Sequence, residues 1–311
     1  MEKINIYQER DFGDIFSASI NFMKQNFHVI GRFMLYIILP TCLLLGIFTN
    51  GVYSEMGSTN PDPSGIILKY PPMILIFGIG SLLICGFVFT LIKFYIKSKD
   101  SIEGLQLKEL WPAMIPVMGK CIITGIITII AMTLLVLILV AFCAISSYTI
   151  IITLPAFFIC LFPITLFFPI YILEENTDVW NAFGKAYRLG FSHFWVMIGV
   201  IIITFIAIAL IQGICSIPYY IAFIIKTYFF NDGENVAIIG SGFYSFLVYI
   251  LSVIACFGHF ISSAIELFVI IYLYGSFAEK EDHVMVEQEI DSFDNLSDEK
   301  KSDDINNFDS I

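Results

Sequence analysis

Long apolar runs separated by short polar connectors dominate the pattern of this chain. Six runs recur, at about Val29–Asn50, Pro72–Tyr95, Cys121–Phe142, Thr149–Leu173, Phe194–Ile225 and Ser241–Ala278. Each reaches the roughly 20 residues that a helix needs to cross about 30 Å of hydrocarbon. A transmembrane barrel would show short segments alternating at period two instead. The expected fold is therefore an all-α polytopic membrane protein with six transmembrane helices. The last two runs exceed one crossing, which predicts long helices that tilt or kink. Pro218 should kink or end the first of them. "NDGEN", Asn231–Asn235, then forms the turn of a hairpin. The fourth run holds Pro155, Pro163 and Pro169. It reads either as a bent packing helix or as a broken helix lining a site.

A second, amphipathic pattern precedes two of the runs. "DIFSASINFMKQNF" (Asp14–Phe27) and "DVWNAFGKAYRLGF" (Asp178–Phe191) align without a gap, pairing Phe16 with Trp180, Ala18 with Ala182 and Lys24 with Arg188. At 100° per residue, Phe12, Ile15, Phe16, Ile20, Phe22, Met23 and Phe27 share one face of the first. Asn181, Lys185 and Arg188 oppose Trp180, Phe183 and Tyr187 on the second. Such helices lie in a membrane interface. Interfacial helices are expected at 12–27 and 178–191, anchored by Phe16, Lys24, Phe27, Trp180, Lys185 and Arg188. A weaker third case, 102–117, is interrupted by Pro112. Interfacial helix plus hairpin thus reads as an internal repeat used three times, serving as an anchor or as a sensor of the lipid surface.

Composition agrees: of 311 residues 58% are hydrophobic and 14% charged, with mean hydropathy +0.85. Soluble domains carry about a quarter charged residues. The net charge of −11 is mostly local, since residues 279–311 alone contribute −9. The chain therefore divides into one helical membrane domain, 1–278, and an acidic tail, 279–311. The tail is too polar to fold by itself and is either solvated or a docking tail for a membrane or cytoplasmic protein. All of the 16 basic residues except Lys69 and Lys226 fall on one side of the expected topology. The positive-inside rule then puts both termini in the cytoplasm. The seven cysteines lie in or beside apolar runs at no ligand spacing, so they read as packing residues, not as disulfides or a metal site. The charged start, "MEKINIYQERDFGD", is not a cleavable signal, so the first run stays as an anchor.

The stretches "ERDFGDIFSASINFMKQNF", "DVWNAFGKAYRLGFSHFW" and "YGSFAEKED" carry a family likeness. The chain resembles uncharacterised multi-pass inner-membrane proteins of Bacteroidota, grouped loosely with the membrane domain of glycerophosphoryl diester phosphodiesterases. The likeness covers most of residues 7–290. It implies a helical domain in the bacterial inner membrane with cytoplasmic interfacial helices, and no settled activity. Those phosphodiesterases work through a separate soluble barrel that opens on His-Arg-Gly. None of the four histidines here, His28, His193, His259 and His283, is followed by Arg-Gly.

The chain holds no zinc-protease helix, no nucleophile elbow, no Walker loop and no dinucleotide fingerprint. No basic–aromatic surface points to nucleic acid. No cofactor is expected. "FGIGS", Phe77–Ser81, offers small residues for close helix approach. One polar constellation remains. His259, Ser262, Ser263 and Glu266 recur at i, i+3, i+4 and i+7 on the last run, a narrow face expected to turn into the bundle. A carboxylate at that depth costs about 2.5–3.5 kcal/mol on insertion scales, so it needs pairing, hydration or a proton. Lys93 is the candidate cation, with Gln212 and His259 as polar alternatives. Two functional classes follow: a non-catalytic scaffold or accessory protein held in the bilayer, or a transporter, channel or lipid-handling protein using the Glu266 face. An intramembrane enzyme is the weakest reading.

Overall fold

A computed structural model of the chain describes residues 3–56, 63–98, 104–174, 177–231 and 241–284. The turn expected at Asn231–Asn235, apart from Asn231 itself, and most of the acidic tail lie outside those residues. Six helices are long and apolar enough to cross a membrane: Phe27–Glu55, Pro63–Lys97, Lys108–Ile145, Ile150–Leu173, Phe194–Tyr228 and Gly242–Asp282. The protein is thus membrane-embedded and multi-pass. The helices are α1 (Phe12–Gln25), α2 (Phe27–Phe33), α3 (Leu39–Met56), α4 (Pro63–Lys97), α5 (Leu107–Ile145), α6 (Ile150–Leu161), α7 (Phe167–Leu173), α8 (Val179–Ser192), α9 (Phe194–Asn231) and α10 (Gly242–Asp282). A π-helical turn, Met34–Ile38, joins α2 to α3 just before Pro40, whose missing N–H disturbs the α-helical ladder there. The last two spans are single long helices, and Pro218 stays inside α9.

The spans run alternately up and down. The N-terminal segment, the α4–α5 and α7–α8 connections and the end of α10 therefore meet at one end of the bundle. Helices α1 and α8 lie there as a cap, and that end is called the capped end below. The other is the open end, where Lys69 pairs with Glu55 at 2.6 Å.

Both cap helices have 14 residues. Each stops at one residue, Asn26 (φ −104°, ψ 19°) or His193 (φ −117°, ψ 32°), and the next residue begins a membrane-length helix. Their buried faces are narrower than the apolar faces read from periodicity. In α1 the buried strip is Ile15, Ala18, Ser19 and Phe22, and Phe22 reaches the rings of Tyr95 (4.8 Å), Phe268 (5.2 Å) and Tyr272 (6.0 Å). In α8 it is Ala182, Ala186, Leu189 and Gly190, with the aromatic residues at its margins. Trp180 and Phe27 point outward, 80% and 69% exposed, Lys24 is also exposed, and Phe16 is half-buried. The separate helix expected at 102–117 is absent among the described residues. From Leu107 that stretch is the start of α5, with Pro112 and Pro116 inside it. Leu110, Met114, Val117 and Cys121 bury one stripe through both prolines, and this packing carries the helix across them.

A non-helical segment, residues 3–10, bent at residues 6–8, straps the capped end. Ile4 N–H donates to Tyr95 Oη (2.8 Å), Arg10 N–H to Ser276 Oγ (3.0 Å), and Lys3 Nζ to the Ser98 carbonyl (2.6 Å). Ile6 is buried between strap and bundle. It fits because residue 275 is glycine: a Cβ there would collide with the Ile6 carbonyl oxygen. Gly275→Ala is expected to cost about 1–3 kcal/mol, the usual range for overpacking. Thermal melting in detergent checks this, with Gly13→Ala as the control, since a Cβ at Gly13 meets no atom within 4 Å. Equal loss in both variants, or in neither, contradicts the docked strap.

Candidate functional sites: three clefts along the last helix

The polar positions read as one face of the last helix are divided among three places. Ser262 is buried inside the bundle, and its hydroxyl has no hydrogen-bond partner among the described residues. His259 lies toward the open end and Glu266 toward the capped end. Phe260 stands between them, packed so closely on α4 that a Cβ at Gly80 would strike its ring. The small residues of "FGIGS" thus serve close approach, through Gly80. A helix as long as α10 meets different neighbours along its length, so one angular face opens into more than one cleft.

The first cleft holds Glu266 and Ser263. It measures about 380 Å³, and its walls come from α4, α5, α10 and the interrupted fourth span. Ile84, Leu161, Ile164, Phe168, Leu267 and Ile270 make it apolar. Glu266 is exposed here and does not turn into the bundle. It forms no hydrogen bond or ion pair with Lys93, Gln212 or any other described residue. The cation expected to neutralise it lies elsewhere, because Lys93 sits near the capped end of α4 and lines another cavity.

The fourth span reaches this groove through its break. A 3-10 turn, Phe162–Leu166, separates α6 from α7, with Pro163 near its start. Proline removes a backbone donor and leaves carbonyls of the preceding turn without partners. A neighbouring group supplies a replacement: Tyr187 Oη donates to the Cys160 carbonyl (3.0 Å). Gly190 of α8 lies directly on Pro163. The cap helix α8 therefore splints the break, a role that periodicity did not reveal. Ile164 and Thr165 of the broken turn line the Glu266 groove.

The second cleft, about 430 Å³, lies between the α3–α4 and α9–α10 hairpins and takes in His259 and Gln212. Gln212 Nε2 donates to Ser216 Oγ (2.7 Å), and the His259 ring lies 5.1 Å from that of Phe77.

The third, about 780 Å³, opens at the capped end and takes in Lys93, Lys97, Lys185, Arg188, Glu174 and Asp282. Lys185 Nζ bridges Glu174 Oε1 and Asp282 Oδ2, each at 2.7 Å, and Arg188 reaches Asp282 Oδ1 at 2.8 Å. Tyr274 Oη donates to Glu174 Oε1 (2.7 Å) and Thr177 Oγ1 to Glu174 Oε2 (2.7 Å). This cluster ties α7, α8 and α10 together. Two of the residues read as lipid anchors, Lys185 and Arg188, are thus engaged by carboxylates of the chain itself. Asp282 belongs to the last turn of α10, so the acidic stretch begins as helix. Burial and the nearby Glu174 carboxylate push the Tyr7 hydroxyl up to about 12. Lys120 Nζ reaches the carbonyls of Tyr171 (3.1 Å) and Glu174 (3.4 Å), capping the end of α7.

No group of three or more His, Cys, Asp or Glu residues fit for a metal occurs among the described residues. Comparison with protein-family models, curated proteins and solved structures found no match to this chain.

Burial alone would lower the Lys185 pKa, but the hydrogen bonds and charges of Asp282 and Glu174 outweigh it and raise the value above 10.5. A raised folded-state pKa means that the contribution to stability is complete below the ordinary value and lost as pH rises through the folded one. Lys185→Met should cost about 1–3 kcal/mol near neutral pH, in the range for charge-assisted bonds at partly buried groups. The deficit relative to the parent should shrink above pH ~10.5, where the parent loses the same charge. Melting temperatures measured across pH 7–11 check this, and a deficit independent of pH contradicts it.

Proposed function

We propose that this protein is a membrane-embedded lipid-handling protein that takes an amphiphile from the bilayer into the Glu266 groove. A single observation carries the reading: an unpaired, exposed carboxyl group and a proline-broken helix line the same apolar cleft. Apolar walls suit an acyl chain. A carboxyl group without a protein partner suits the hydrogen-bond donors or positive charge of an amphiphile's polar end. An acid within a membrane span is a functional suspect because its insertion is costly. A broken helix is tolerated at that depth where it is buried in protein or lines a cavity.

On this reading the capped end faces the cytoplasm of a bacterial inner membrane. The support is the distribution of charge: Lys3, Arg10, Lys24, Lys97, Lys108, Lys185 and Arg188 lie there, and among the described basic residues only Lys69 and Lys226 fall at the open end. Helices α1 and α8 then lie at the lipid surface, with Trp180 and Phe27 facing outward as anchors. The parallel build of the two cap helices and their hairpins supports an internal repeat. The likeness to Bacteroidota membrane proteins rests on its quoted residues alone.

The scaffold reading keeps one specific support. The Glu174–Lys185–Asp282–Arg188 cluster fixes the end of α10 from which the acidic tail departs, as a docking tail for a partner requires.

Purification from native membrane, with mass spectrometry of retained lipids and proteins, separates the two. Wild type should retain a defined amphiphile class, and Glu266→Gln should reduce it about tenfold, the equivalent of one interaction of about 1.4 kcal/mol. Identical lipids in both proteins would count against the groove. Loss of a co-purified protein on truncation after Val284 would favour the scaffold.

A further inference from the structure

We propose that the cleft between the α3–α4 and α9–α10 hairpins binds an uncharged, hydroxyl-bearing ring such as a hexose, either free or as the headgroup of a membrane glycolipid. This site is separate from the Glu266 groove and does not depend on it. The two hairpins meet across the cleft, and meeting points of this kind are where membrane proteins commonly hold polar ligands.

Its chemistry selects the ligand class. The lining includes no aspartate, glutamate, lysine or arginine. An ion entering it would lose hydration with no counter-charge to replace it. All four helices contribute rings: Tyr53 from α3, Phe77 from α4, Tyr219 and Tyr220 from α9, and His259 from α10. Tyr53 and Tyr219 stand 6.3 Å apart, edge to face. Aromatic surfaces receive the apolar C–H face of a sugar ring, while its hydroxyls need donors and acceptors at the edge.

Those edge groups are present and unused. Tyr219 is only 3% exposed, and its hydroxyl has no hydrogen-bond partner among the described residues. The amide oxygen of Gln212 is likewise buried and unpartnered, while its NH₂ is held by Ser216. The ring of half-buried His259 likewise forms no hydrogen bond with any described residue, and Ser263 Oγ donates only to its backbone carbonyl (3.1 Å). Buried polar groups are nearly always satisfied, so an acceptor and a hydroxyl left over in one cleft point to a partner from outside the chain, water or a ligand. The polar ladder continues through Ser252, which accepts from Asn50 Nδ2 at 2.7 Å. The volume, about 430 Å³, lies within the range of small-molecule sites.

The test uses the full chain in phosphatidylcholine nanodiscs, with thermal midpoint as the readout. The probes are monogalactosyl diacylglycerol incorporated in the disc and methyl β-galactoside in solution. A saturable rise with the glycolipid alone assigns the site to a lipid headgroup, and a rise with methyl galactoside assigns it to a free sugar. Tyr219→Phe and Gln212→Leu should each weaken the response about tenfold, as expected for one lost buried hydrogen bond. Their unliganded midpoints monitor folding. Glu266→Gln should leave the response intact, which separates this site from the groove. No rise with either probe, or a rise undiminished in both variants, overturns the proposal.

Discussion

The capped half of the bundle depends on burial of the last turns of α10. From Phe268 to Ala278 nearly every side chain is enclosed, including Phe268, Tyr272, Tyr274 and Phe277. A helix that is apolar and buried all round must be a central post, because no face of it is left for solvent or lipid. The strap lies over Gly275, Phe22 of α1 enters between Tyr95 and Tyr272, and α8 reaches the post through Lys185 and Arg188. Phe33 and Phe87 stack at 3.8 Å in the same core, joining the first two spans to it. Removing the post would leave the buried strip of α1 without its main partner, whereas α8 also rests on the interrupted fourth span through Gly190 and Pro163.

Away from this post the packing thins. Helix α5 turns Ile122, Ile126, Ile129, Leu137 and Ile138 outward, and α9 does the same with Phe205, Leu210 and Ile214. In a bilayer such faces need no protein partner, since lipid tails are as apolar as they are. The consequence is functional. Tight packing at one end holds α10 in place, while looser packing elsewhere leaves clefts on either side of Phe260. Rigidity and access are thus separated along one helix.

Much of the architecture was legible in the chain. Six spans, the two long final helices, the amphipathic helices ahead of the first and fifth spans and the interrupted fourth span all follow from hydropathy and proline placement. The site was legible only as a set of residue types. Glu266 stood out because charge is rare in such a run, yet its surroundings were misread: Lys93 and Gln212 belong to other clefts. Tyr219 carried no signal at all, because a tyrosine in an apolar helix looks like packing until its hydroxyl is found unpartnered. Lys185 and Arg188 read as lipid anchors because periodicity assigns a face but not what that face meets.

The sequence by itself determined the solvent this protein requires, the number of its membrane-length helices and the amphipathic character of the two helices ahead of the first and fifth spans. These follow from local quantities, namely the length of apolar runs, their period and the position of proline. Only the tertiary structure decided which polar groups share a cleft, that Pro163 opens beside Glu266, and that Phe260 divides His259 from Glu266. The physical reason is that helix period fixes direction around one axis. Neighbours along a helix of 41 residues are set by how the other helices cross it. Those crossings depend on contacts distant in the chain, such as Gly80 with Phe260 and Gly275 with Ile6.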